Sequence, residues 1–189
     1  MECSMSNNFS SAFNEEQAAD ALLRESVSKL QAEGKRRAAE EYGLTDRFRQ
    51  GEISQEEAVR MCERAMDSLA EQYVAHLSEF QQAEDPIEIL SHLEQSEIIW
   101  NSETTVIRHF DSNGEEGAFL DQMRQLALRV TENKLIAMAN KTSKHATAEN
   151  IACCLGLLGV VDQIYSEYGY AKDSAERQKF RSIARSFQV

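Results

Sequence analysis

One proline, Pro86, stands in the whole chain of 189 residues. On either side of it run long stretches of Ala, Leu, Glu, Gln, Lys and Arg, the residues that lose least on entering a helix. The eight glycines, at 34, 43, 51, 114, 117, 156, 159 and 169, mostly fall between these stretches. Helix formers punctuated in this way predict an all-α fold, an antiparallel helical bundle of five or six helices. A chain of this length makes one domain with a core large enough to need neither disulfide nor metal.

The element boundaries follow from capping residues and apolar periodicity. Residues 1–13 are polar and are expected to form a mobile N-terminal arm ahead of a helical domain over 14–189. Asn14 followed by Glu15, Glu16 and Gln17 is a helix start, and Gly43 is a stop. Residues 44–52 read as a connector. Ser54 with Glu57 forms a capping box ahead of a seam at Val59, Cys62, Met66, Leu69, Tyr73, His76 and Phe80. Asp85-Pro86 ends one helix and starts another, so 54–110 is a helical hairpin. The β-branched run Thr104 to Ile107 reads as its frayed end.

A further helix is expected over 116–141, with Phe119, Leu120, Met123, Leu126, Val130, Ile136 and Met138 as its apolar positions. Thr147 caps a helix over 147–168 that is apolar nearly all round, which makes it the expected centre of the bundle. Its Cys153, Gly156 and Gly159 form a small-residue stripe suited to a close helix contact, within the chain or across a dimer axis. A basic helix over 174–188 closes the chain, with Phe180, Ile183 and Phe187 facing inward. Such large apolar residues so near the terminus point to a homodimer.

Charge is unevenly placed. Residues 1–121 hold 26 acids and 10 bases, while residues 122–189 hold 6 acids and 10 bases. From Ala65 to Ile107 there are nine acids and no Lys or Arg. Unpaired acids repel one another, and a basic partner relieves that repulsion. The sequence therefore points to a protein-binding or regulatory protein that engages a basic surface through Glu71, Glu79, Glu84, Asp85, Glu88, Glu94 and Glu97. Inhibitors, immunity proteins, secretion chaperones and nucleic-acid mimics share this profile. The overall charge argues against direct nucleic-acid binding. The competing DNA-binding reading rests on Lys35, Arg36, Arg37, Arg47 and Arg49 within residues 35–49, a set that more often forms a solvated helix face.

Chemistry finds one constellation. His76 with Glu79, and Glu88 with His92, sit three and four residues apart, so each pair shares a helix face. In an antiparallel hairpin the pairs come to similar heights, an arrangement that suits zinc or iron in a helical metalloprotein or enzyme. The run from Asp111 fails the calcium-loop pattern, because Glu116 and Gln122 stand where Gly and Glu are required. Cys153 and Cys154 lie in the most apolar helix, which raises a thiol pKa and blocks access. Neither His109 nor His145 has the context of a catalytic triad, and no phosphate-cradling loop is present, so the motifs favour a non-enzymatic role and imply no cofactor. Four cysteines without paired spacing, an opening without a secretory pattern and the lack of a long apolar run lead to the expectation of a cytoplasmic protein that does not enter membranes.

Overall fold

The computed structural model describes residues 6–110 and 116–185. All regular structure among them is helical. Helix α1 spans Ser6–Tyr42, so residues 6–13 of the anticipated arm are helical and the Asn14 start falls inside the rod. Residues 1–5 lie outside the described part. The rod ends at Gly43, whose φ of 62° is the left-handed conformation that glycine adopts without a Cβ clash. Residues expected to be a connector instead form a short helix, α2 (Leu44–Gln50), closed by Gly51.

Helix α3 (Gln55–Ser68) begins at Ser54, whose Oγ accepts the Glu57 N–H at 3.2 Å. A π-helical turn, Leu69–Tyr73, leads straight into α4 (Val74–Gln82). The buried seam of this long rod is Met61, Cys62, Ala65, Leu69, Tyr73, Leu77 and Phe80. It differs from the expected seam at three places: Val59 is exposed, while Met66 and His76 are half-buried. Leu69, Tyr73 and Leu77 follow one another at four-residue steps on one face across the wider π turn. Leu77 thus takes the core position, and His76 moves to the edge.

Asp85 Oδ1 accepts the N–H groups of Ile87 and Glu88 at 2.9 and 3.2 Å and starts α5, Pro86–Phe110. The run Thr104 to Ile107 is not frayed. Thr104, Val106 and Ile107 are buried, and the hydroxyls of Thr104 and Thr105 donate back to the carbonyls of Trp100 and Asn101. With their polar groups satisfied inside the helix, tertiary burial overrides the weak helix preference of β-branched residues.

Helix α6 spans Glu116–Lys144, α7 Ala148–Glu167 and α8 Ala175–Arg185. Thr147 caps α7, as its position suggested, by accepting the Asn150 N–H at 3.2 Å. Counting α3 and α4 as one rod, the bundle has six long helices among the described residues, with α2 as a short link. No helix among them is long and apolar enough to cross a membrane.

Two helices share the centre. Helix α7 packs on α1, α5, α6 and α8, as its apolar surface requires, but α5 packs on α1, α3, the π turn, α4 and α7. The second arm of the acidic hairpin is therefore a core element. Small residues set the closest approaches. A Cβ on Gly156 of α7 would lie 2.6 Å from Leu90 Cδ2 of α5. A tighter contact falls at Gly34 of α1, where a Cβ would lie 2.5 Å from Asn101 Cβ and 3.0 Å from the Ile98 carbonyl. Cys153 and Gly159 are also buried in α7.

Helix α6 turns inward a face that shares only Met138 with the expected one. Arg124, Ala127, Thr131, Leu135, Met138 and Thr142 are buried, whereas Ile136 is exposed and Phe119, Leu120, Met123, Leu126 and Val130 are half-buried flanks. Thr131 and Thr142 enter the core because their hydroxyls donate to the Ala127 and Met138 carbonyls at 2.7 Å. On α8, Phe180 is buried beside Tyr165 and Ile183 packs at the core margin. Phe187 lies outside the described residues.

Candidate functional site

The turn between α4 and α5 carries Glu84, Asp85 and Glu88, with Glu79 and Glu94 farther along the two helices and Glu71 in the π turn before them. Asp85 and Pro86 fix the reversal, and Leu77, Phe80, Ile89 and Leu93 lock the two helices together inside the core. Glu71, Glu79, Glu84, Asp85, Glu88 and Glu94 are exposed. Among the described residues Glu71, Glu84, Glu88 and Glu94 form no ion pair with Lys or Arg. The lysines nearest the turn come from α6 and bind backbone instead: Lys134 Nζ donates to the Gln81 and Ala83 carbonyls at 2.7 and 2.8 Å, and Lys141 Nζ to the Glu84 carbonyl at 3.0 Å. They satisfy carbonyls at the negative end of α4. This supply of cations from α6 could not be read from the hairpin's own sequence.

Glu97 does not belong to this surface. It is 1% exposed, and it pairs through both oxygens with Arg124, at 2.6 and 3.1 Å. Arg124 also grips Glu167 at 2.8 and 2.9 Å, and its guanidinium lies 4.6 Å from the centre of the Trp100 ring. Tyr73 Oη stands 3.4 Å from the same guanidinium. Burial disfavours the charged arginine, but Glu97, Tyr73 and Glu167 outweigh it and hold the pKa well above the ordinary value. This ionic cluster ties α5, α6 and α7 together. Its sequence signal was an arginine in phase with Ala127, Thr131 and Leu135 on α6.

A second buried carboxylate, Glu103, accepts the Tyr42 hydroxyl at 2.6 Å and the Ser68 hydroxyl at 3.1 Å. Burial raises its pKa above the ordinary carboxylate value despite those two bonds. Glu103 thereby joins the end of α1 to α3 and α5.

Of the four residues expected to share a metal site, three meet. His76 Nδ1 and His92 Nδ1 lie 3.5 and 3.2 Å from the same oxygen, Glu79 Oε2. The two imidazole rings are 5.8 Å apart. Glu88, one turn ahead of His92, stays outside the cluster.

The remaining candidates are absorbed by structure. Arg36 pairs with Glu33 and Glu40, Arg37 with Glu41, and Arg47 with Glu57. The basic stretch 35–49 is thus largely a neutralised helix face. The side chain of Arg49 and residues 111–115, which hold the start of the rejected calcium loop, lie outside the described part. Cys62, Cys153 and Cys154 are buried, and burial pushes the Cys153 thiol up to about 12. On α8, Arg177 and Arg181 both pair with Asp162 of α7, which uses their charge inside the chain. No family model matches the chain, and neither a curated protein nor a solved structure shows significant similarity to it.

Proposed function

We propose that this protein is a non-enzymatic binding protein, a regulator or inhibitor of the cytoplasm, whose α4–α5 end engages a basic surface on another protein. The observation that carries the reading is the set of six exposed acids on a hairpin held rigid by its buried seam. A preformed surface loses little freedom on binding. Like charges brought together at one end of a bundle are relieved by a cationic partner. Some of the acids also serve the fold, since Asp85 and Glu88 sit at the positive pole of α5. Glu71 and Glu94 lie beyond that pole, and their position has no such local reason, whereas Glu79 contacts His76 and His92.

The partner need not be a second copy. Phe180 and Gly156, two of the residues that suggested a dimer, are occupied within one chain. Affinity capture from the native cell, with the wild type and a Glu84→Gln/Asp85→Asn/Glu88→Gln variant side by side, tests the proposal. A partner retained by the wild type and lost by the variant supports it. Equal recovery on both columns overturns it.

A further inference from the structure

We infer that His76, Glu79 and His92 form a binding site for a divalent transition metal of the zinc class. The inference stands on its own geometry and does not need a basic partner. His76 and Glu79 occupy one face of α4, and His92 projects from the facing α5 at the same height. All three donor atoms lie within 4.8 Å of one another.

The distances match what the metal requires. Zinc binds imidazole nitrogen and carboxylate oxygen at about 2.0–2.2 Å, so neighbouring donors in a tetrahedral site are about 3.3–3.5 Å apart. The two nitrogen-to-oxygen separations here, 3.5 and 3.2 Å, already fall near that edge length. The third separation, between the histidine donors, lies within 4.8 Å. His76 Nδ1 is moreover a buried nitrogen with no hydrogen-bond partner among the described residues. A buried polar atom left in that state costs free energy, and a metal ion would take up its lone pair.

The donor set also sorts the ions. Two imidazoles and one carboxylate suit zinc, copper, nickel or iron, whereas calcium and magnesium take oxygen ligands. Three protein ligands leave a fourth position, and both histidines are about one-third exposed, so that position faces solvent. An ordinary ion pair between a carboxylate and a protonated histidine explains one such contact. It leaves over His76 Nδ1, which lies 3.5 Å from Glu79 Oε2 without a hydrogen bond.

Tag-free full-length protein, stripped with a chelator, is titrated with Zn2+ against a chromophoric competitor, and with Co2+ as a spectroscopic reporter. One ion per chain is expected, with visible ligand-field bands and no thiolate-to-cobalt charge transfer. Glu79→Gln and His92→Ala should each weaken binding by about tenfold or more, while Gln95→Ala on the exposed face of α5 should not. Glu79→Gln is nearly isosteric, so it decides the matter even where His92→Ala perturbs the fold. Absence of stoichiometric binding, thiolate bands from a cysteine site, or zinc affinity unchanged in Glu79→Gln overturns the inference.

Discussion

Arg124 shows how much can rest on one side chain. It neutralises Glu97 where water cannot reach, and it covers the Trp100 face. Arg124→Ala leaves a carboxylate buried without its cation, and breaking such a pair costs about 3–5 kcal/mol. Urea denaturation should record a loss of that size. Replacing Glu97 and Arg124 together by leucine should recover much of it, since Glu167 is partly exposed and can return to water. Glu103 poses the opposite electrostatic case, a buried carboxylate held by two hydroxyls rather than by a cation. Its folded pKa is raised above the ordinary 4.5. The native state therefore binds the proton more tightly than the unfolded chain. The resulting stabilisation is present below 4.5 and is lost as pH rises through the folded value. Glu103→Gln removes that titration, so wild-type stability should fall relative to the variant as pH rises through this window. Parallel stability curves would show that Glu103 does not titrate there. Which acids play these roles was not legible from sequence. Glu97 and Glu103 look like members of one acidic run, and which acids turn inward depends on Arg124, Tyr42 and Ser68, which come from other helices.

At the scale of helices, α5 owes its central place to close approaches. Gly34 lets α1 settle against the backbone of α5, and Gly156 makes room for Leu90. The two glycines should respond differently to added bulk. Gly34→Ala gains about 1 kcal/mol of helix propensity, but its methyl meets a Cβ and main-chain atoms that cannot move aside. Overpacking of this kind costs about 1–3 kcal/mol, so the net change should be destabilising. Gly156→Ala meets only the mobile tip of Leu90 and should be nearly neutral, while Gly156→Leu should incur the full overpacking loss. Thermal melts of the three variants separate these outcomes, and a stabilised Gly34→Ala would contradict the packing described. The contact at Gly156 was readable, because small residues at three-residue spacing in an apolar helix have few other uses. Gly34 was not, because it sits among charged residues that mark a solvated helix. The caps at Ser54, Asp85 and Thr147 were readable for the same reason that they work: each is a local hydrogen bond between neighbours in sequence. The inward phase of α6 was hidden by threonines, which look polar until their hydroxyls are seen bonded to their own helix.

For the molecule as a whole, the placement of charge matters more than its total. Acids and bases in residues 24–64 are largely paired along or between helices, and Arg177 and Arg181 of α8 engage Asp162. Among the described residues the α4–α5 end stays unbalanced, because the lysines from α6 reach the backbone and leave the carboxylates of Glu84 and Glu88 to act outward. A field of this kind works at long range before contact, so its effect belongs in the association rate more than in dissociation. Screening sets the test. The Debye length is about 8 Å at physiological ionic strength and about 30 Å at 0.01 M, so the on-rate for a basic partner should fall steeply as salt is added. Neutralising Glu84, Asp85 and Glu88 together should lower the low-salt on-rate by about tenfold or more, at the modest end of the range known for electrostatic steering. The off-rate should change less. Helicity and melting temperature should stay near wild type, because these side chains are exposed and their loss touches no core contact; asparagine caps nearly as well as Asp85, and the loss of charge at the positive pole of α5 costs about 0.3–1 kcal/mol. Stopped-flow association across a salt series, run on the wild type and the triple variant, reads all of these terms. If the two proteins associate at the same rate and with the same salt slope, the acids keep the molecule soluble and do nothing more, and the binding surface must lie elsewhere on the bundle.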